Sequence, residues 1–145
     1  MLLGGAITRG DDILAAQVMG ADLAYLGTRF LAATEANITP AYRQAVIDAP
    51  AEGIVYTDLF SGVHANYLRS SVATAGYDPD DLPTRGAAEE NFGSESMAKA
   101  KVWRDIWSAG QGVGNIGEAE GTAAIAARLQ REYGDAQARL GFAGA

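Results

Sequence analysis

The sequence predicts an α/β fold, with a parallel strand–helix–strand unit at the N-terminus and a mainly helical extension behind it. Three observations carry this. Two short apolar stretches, Leu2-Leu3 and Ala21 to Leu26, each run into a glycine-bearing loop, Gly4-Gly5 and Gly27-Thr28. Between them, Asp11 to Met19 has helical spacing, and Gly20 is placed to end it. Beyond Thr39 the chain reads as helical segments with one strand-like run among them.

The elements follow in order. A strand is typically about 5–6 residues long, so Leu2-Leu3 reads as the last part of one whose beginning is absent. Gly4 to Gly10 is a loop, and Asp11 or Asp12 supplies a helix cap. Ile13, Ala16, Gln17 and Gly20 fall on one side of that helix, with Leu14 and Val18 beside them. Ala21 to Leu26 is a short, mostly buried strand, and Gly27-Thr28-Arg29-Phe30 turns out of it. Thr39 caps and Pro40 opens a helix through Ile47, which Pro50 stops. Gly53 to Phe60 favours a strand and Ala65 to Ala73 a helix. Gly76 to Glu95, rich in Asp, Pro, Gly and Asn, reads as a long polar loop, either a lid or a surface excursion. Ser96 caps a helix through Ser108 that carries Trp103 and Trp107, and Gly110 to Gly117 breaks it. The last helix runs from Glu118 to Tyr133, with Ile125, Leu129 and Tyr133 on one face.

Composition narrows the function. Of 145 residues 48% are hydrophobic and 20% charged, a globular balance. A net charge of −7 makes general nucleic-acid or anionic-membrane binding a poor fit. No apolar run reaches the roughly 18 residues of a membrane span. With no cysteine, disulfides, thiol catalysis and Cys-ligated metals are excluded, and one histidine rules out a His-rich metal site. The start lacks the features of a signal peptide, so the cytoplasm is the expected compartment.

The chemistry is concentrated in glycine loops. Gly4-Gly5-Ala6-Ile7 lies between a strand end and a helix start, where free backbone N–H groups and the helix dipole can hold a phosphate without Lys or Arg. Gly27-Thr28 repeats the arrangement after the next strand, and paired loops of this kind after successive strands form phosphate sites in (β/α)₈ barrels. The alternative is that both are merely tight turns. Gly112-Val113-Gly114-Asn115-Ile116-Gly117 matches G-x-G-x-x-G, yet no strand precedes it, so a dinucleotide fingerprint is rejected. A turn, or close backbone approach to a flat ligand, suits it better. Tyr25, at a strand's C-terminal end, is a contact candidate. His64 reads as a loop residue rather than a general base, the tryptophan pair as core, and Arg29 and Arg69 as salt-bridge partners rather than anion ligands.

Three stretches together resemble the nitronate monooxygenase family, formerly called 2-nitropropane dioxygenases. They are Gly5-Ala6-Ile7 followed by Ala15 to Ala32, which contains G-T-R-F; Tyr56 to Arg69; and Lys99 to Gly114, which contains A-G-Q-G-V-G. The resemblance implies an FMN-dependent (β/α)₈ barrel that oxidises alkyl nitronates with O₂ to carbonyl compounds and nitrite. On it, this chain is the C-terminal portion of the barrel. Residues 1–36 are the last one to two βα units, and 37–145 are a C-terminal extension with loop 76–95 and terminal helices. Gly5 and Ala6 match the loop after the seventh strand, whose backbone holds the FMN phosphate. Ala6 stands where many members have a second glycine. Tyr25, Leu26, Gly27 and Thr28 match the phosphate loop after the eighth strand. Ala109, Gly110 and Gln111 match a late turn near the flavin. The family's catalytic histidine lies upstream of Met1, so no catalytic residue is expected here and His64 is not its match. No metal is expected. The implied partners are a small nitronate, O₂, and an N-terminal half or a second copy. Two alternatives stand beside this: a non-catalytic truncated fragment, and a segment of a related flavin-dependent enoyl reductase.

Overall fold

The computed structural model describes residues 1–83 and 104–141. The N-terminal unit is the expected parallel one. Strands β1 (Leu2–Gly4) and β2 (Leu23–Tyr25) pair in parallel, with Leu2 opposite Leu23 and Gly4 opposite Tyr25, and α1 (Gly10–Val18) crosses between them. Side chains alternate across this ribbon. Leu3 and Ala24 face inward and pack with Ile7, Ile13, Ala16 and Ala21. Leu2, Leu23 and Tyr25 face outward and are exposed at 60%, 66% and 64%. The end of α1 is set by Gly20 at φ +94°, a left-handed position that favours glycine.

The cap of α1 differs from expectation. Arg9 is the flanking residue, and Asp12 acts from the third helical position, where its carboxylate accepts from the Arg9 N–H at 3.0 Å. That geometry satisfies the donor as an N-terminal cap would, from inside the helix. The helix after β2 is short, α2 (Thr28–Leu31). Then α3 (Pro40–Asp48) starts as predicted, with Thr39 Oγ1 accepting from Tyr42 N at 3.2 Å. Arg43 reaches back from α3 to the carbonyls of Ala33 and Ala36, at 3.1 and 3.0 Å.

The middle of the chain corrects two expectations. Strand β3 (Ile54–Thr57) is shorter than Gly53 to Phe60, because the Thr57 hydroxyl accepts from Leu59 N and turns the chain. Residues 65–68, expected as helix, form β4 (Ala65–Leu68), antiparallel to β3, and only then does α4 (Arg69–Thr74) begin. Pairing with β3 buries Tyr67 and Leu68, and this overrides local helical spacing.

Ser96 to Trp103 lies outside the described residues, as does most of loop 76–95. In what is described, residues 107–109 are not helical: Trp107 O accepts from Leu68 N at 2.8 Å and Ser108 bridges Tyr67. Trp107 stacks on Tyr42 at 5.1 Å. Gln111–Asn115 is a 3-10 turn, so G-x-G-x-x-G does not open a helix.

The last helix, α5 (Thr122–Arg139), begins one turn later than expected. Its predicted first residues are held elsewhere: Glu120 bridges Ala33, and the Glu35 carboxylate caps the helix by accepting from Thr122 N at 2.9 Å. Ile125 and Leu129 of α5 pack with Ile13, Leu26, Phe30 and Ala33. A second core joins Ala32, Val46 and Leu68 to Ala109, Val113 and Ile116. The C-terminal segment therefore packs on the N-terminal unit through α5 and on α3 and β4 through residues 109–116. Among the described residues, no helix is long and apolar enough to cross a membrane.

Candidate functional site

At the C-terminal ends of β1 and β2 lies a cleft of about 150 Å³, lined by Gly5, Ala6, Ile7, Thr8, Tyr25, Gly27, Thr28, Gly110 and Gly112. Three separate turns converge there. The first reverses the chain after β1 through Gly5 at φ +112° and Ala6 at φ +55°. Ala6 is the only non-glycine with positive φ among the described residues, and for an L-residue this conformation costs about 1–2 kcal/mol. A Cβ on Gly5 or Gly27 would meet no protein atom within 4 Å, so the space beside both is open. The third turn docks from the C-terminal segment. Gly110 N donates to Thr28 Oγ1 at 2.8 Å, and a Cβ on Gly112 would lie 2.5 Å from Thr8 Cγ2 and 3.3 Å from Ala6 Cα. Glycine at 112 permits that approach; what it approaches is the chain's own first loop.

The electrostatics differ from the sequence reading. The first donors of α1 are already occupied: Thr8 N and Arg9 N donate to Asp12 Oδ2 at 2.9 and 3.0 Å, and Gly10 N donates to Glu132 Oε2 at 2.8 Å. The N-terminus of α1 is therefore filled by two carboxylates and is not free for an anion. Among the described residues, no Lys, Arg, Asp or Glu lines the cleft. The Thr28 hydroxyl accepts from Gly110, which leaves its own proton to donate.

Of the sequence candidates, Gly5, Ala6, Tyr25, Gly27, Thr28 and Gly110 come together in the cleft. Leu26 instead packs inward between two apolar clusters, and Gln111 is exposed at the start of its turn. Ile7, from the first glycine loop, and Gly112 also line the cleft, as does Thr8, which the sequence did not single out. Gly112 carried a signal, the G-x-G spacing, whereas Thr8 carried none.

The remaining candidates lie elsewhere. His64 is exposed and packs on Tyr56 at 5.0 Å. Arg69 pairs with Asp80 at 2.5 Å. Arg29, 1% exposed, pairs with Glu120, which also pairs with Arg128 at 2.7 Å. Burial first, and then the Arg128 charge, push the Arg29 pKa down, while Glu118 and Glu132 oppose this. A wider groove of about 660 Å³ runs along α3 and the start of α4, where small apolar residues lie beside Gln44, Asp48, Glu52, Arg69 and Ser70. Among the described residues no group of three metal-ligating side chains exists.

The family model for nitronate monooxygenase matches residues 1–145. A curated nitronate monooxygenase of Paraburkholderia phytofirmans is 30% identical over 137 residues, which is 91% of this chain and 37% of that protein. Among solved structures, FabK from Thermotoga maritima overlaps with a TM-score of 0.69 at 25% identity, over 96% of this chain and 45% of that one. Nitroalkane oxidase from Streptomyces ansochromogenes overlaps with a TM-score of 0.64 at 28% identity, over 96% of this chain and 40% of that one. The chain thus spans little more than a third of the length of the curated relative. With mixed helix and strand, a parallel βαβ start and a family match over its whole length, the chain belongs to the nitronate monooxygenase family.

Proposed function

We propose that this chain is the phosphate-holding segment of an FMN-dependent nitronate monooxygenase, which oxidises alkyl nitronates with O₂ to carbonyl compounds and nitrite. The observation that carries the reading is the convergence of the Gly5-Ala6 turn, Gly27-Thr28 and Gly110 on one cleft that, among the described residues, no charged side chain lines. The residues present suit a phosphate monoester. The backbone at Gly5, Ala6 and Gly27 and the Thr28 hydroxyl offer neutral donors, and the nearby Asp12 carboxylate is spent on the N–H groups of Thr8 and Arg9. At about 150 Å³ the cleft falls short of the roughly 300–1,000 Å³ of a whole-ligand pocket. It would take a head group only, and Tyr25, which lines the same cleft, would border the remainder of the cofactor.

On this reading β1 and β2 are the last two strands of a barrel. Their exposed face of Leu2, Leu23 and Tyr25 points to its interior, residues 1–36 belong to the barrel, and 37–145 form the extension. The bound flavin supplies the redox chemistry. This chain's part is to hold and orient it: Thr28 donates to the phosphate, and the packed C-terminal turn keeps water from one side. The catalytic residues and the nitronate pocket belong to strands outside this chain, as do any further partners.

The test is the visible spectrum of the desalted chain after incubation with FMN. Retained flavin near one per chain supports the reading; none overturns the claim that these loops suffice. A second reading, a related flavin-dependent enoyl reductase, is favoured by the overlap with FabK, TM-score 0.69. Oxygen uptake with an alkyl nitronate, set against oxidation of a reduced nicotinamide with an enoyl thioester, separates the two.

A further inference from the structure

We propose that Thr8 and Asn115 are positioning residues for the cleft. Together they lock the Gln111–Asn115 turn onto the first loop, and so fix the distance between the walls that face the phosphate. The proposal rests on the flavin reading above.

The lock is a directed chain of hydrogen bonds. Asn115 Nδ2 donates to Thr8 Oγ1 at 3.0 Å, Thr8 Oγ1 donates to Asp12 Oδ2 at 3.3 Å, and Thr8 N donates to the same oxygen at 2.9 Å. An ionised carboxylate can only accept, so the Thr8 proton must point at Asp12. The Thr8 oxygen is then left as an acceptor, and Asn115 must present its NH₂ to it. One polarity is allowed along the whole chain, which ties the turn to α1 across 107 residues. Thr8 is 2% exposed, and its methyl carbon fills the space a Cβ on Gly112 would take. A sliding turn would therefore break the hydrogen bonds and uncover a buried hydroxyl together. The lock has a second point, the Gly110 N–H on Thr28. Thr8 Oγ1 has no proton left for a ligand, since its one O–H is spent on Asp12, and Asn115 is not among the residues that line the cleft.

The variants are Thr8→Val, which keeps the methyl that packs on Gly112; Thr8→Ser, which keeps the hydroxyl; and Asn115→Ala. Affinities for FMN and riboflavin are measured by flavin fluorescence, and hydrogen exchange is followed over residues 104–118. T8V and N115A are expected to weaken FMN roughly three- to tenfold, the worth of one net hydrogen bond, while riboflavin affinity stays within about twofold. T8S is expected to bind FMN like wild type. Exchange over 110–116 is expected to speed up in T8V and N115A but not over β1. Equal losses for FMN and riboflavin would reduce the pair to a structural role and overturn the proposal. So would unchanged FMN affinity in both variants, or unchanged exchange over 110–116. A wild-type chain that binds no FMN overturns the claim that these loops suffice for the flavin, and the exchange measurement then still decides whether the lock exists.

Discussion

Gly10→Ala separates tertiary contact from helix propensity in sign, not merely in size. In an exposed helix interior, Ala is favoured over Gly by about 0.5–1 kcal/mol, and at this first helical position the gain is at most that. The structure opposes it. A Cβ on Gly10 would lie 2.2 Å from Tyr133 N, 2.3 Å from Leu129 O and 2.6 Å from Glu132 Cβ. The first two are backbone atoms of α5, so relief requires the whole helix to withdraw. That withdrawal pulls Glu132 from the Gly10 N–H and loosens Leu129 against Ile13 and Leu26. Overpacking of this kind costs about 1–3 kcal/mol, and a lost charge-assisted hydrogen bond about 1.5–3 more if it breaks. The net expectation is a destabilisation of about 2 kcal/mol or more. Gly134→Ala is the control. It sits within α5, exposed, with nothing within 4 Å of its Cβ, and is expected to stabilise by about 0.5–1 kcal/mol. Urea unfolding followed by far-ultraviolet circular dichroism reads both from the midpoint at constant slope. A G10A chain as stable as wild type would refute the close packing of α1 on α5, and with it the docking of the C-terminal segment.

Three further outcomes follow from individual contacts. Ala6→Gly removes a left-handed penalty of about 1–2 kcal/mol and adds a backbone-entropy cost of about 0.5–1 kcal/mol, so thermal unfolding should show a gain of up to about 1.5 kcal/mol. Glu120→Ala strands the Arg29 charge, 1% exposed, and should cost about 3 kcal/mol in chemical denaturation; Arg29→Met, which removes the charge rather than stranding it, should cost less. The Thr122 N–H, and then Thr34, hold the Glu35 carboxyl below its usual range. A depressed folded-state pKa gives stability that is present above the ordinary glutamate value and is lost as pH falls through the folded one. Wild type should therefore lose its advantage over Glu35→Gln as pH drops below about 4, in unfolding curves taken across that range, and a constant gap would exclude the cap.

The parts of this fold that could be read from sequence are those whose causes are local. Gly20 ends α1 because glycine tolerates φ +94°, and Thr39-Pro40 opens α3 through a hydroxyl three residues from its donor. The parallel pairing of β1 and β2 follows from two apolar runs one helix apart. Where a partner lies far along the chain, local pattern misleads. Ala65 to Leu68 has helical spacing yet pairs with β3, and Leu68 is then bonded by Trp107. Glu118 to Glu120 has the acidity of a helix start, but Arg29 and Ala33 take Glu120 out of the helix, and Glu35 supplies the cap instead. The candidate site divides the same way. Gly5, Gly27 and Thr28 stand out because glycine after a strand is unusual and local. Thr8 gave no sign, since its importance comes from Asn115 and Gly112, more than a hundred residues away.

The filled N-terminus of α1 has a consequence for how an anion could be held. A helix N-terminus attracts anions through unpaired N–H groups, and here Asp12 and Glu132 already occupy those of Thr8, Arg9 and Gly10. A phosphate in the cleft would gain little from the dipole and would feel two nearby carboxylates. Its binding must come from short-range donors at fixed positions, the Gly5-Ala6 and Gly27-Thr28 backbone and the Thr28 hydroxyl. Such binding would depend steeply on geometry and weakly on ionic strength, because among the described residues no Lys or Arg lines the cleft. On the phosphate reading, immobilising the cleft walls is what such a site would need. The strained Ala6, the glycine at 112 pressed on Thr8, and the Gly110–Thr28 bond each remove a way for the walls to move. A site built with cations tolerates an ångström of slack, whereas one built from neutral amides does not.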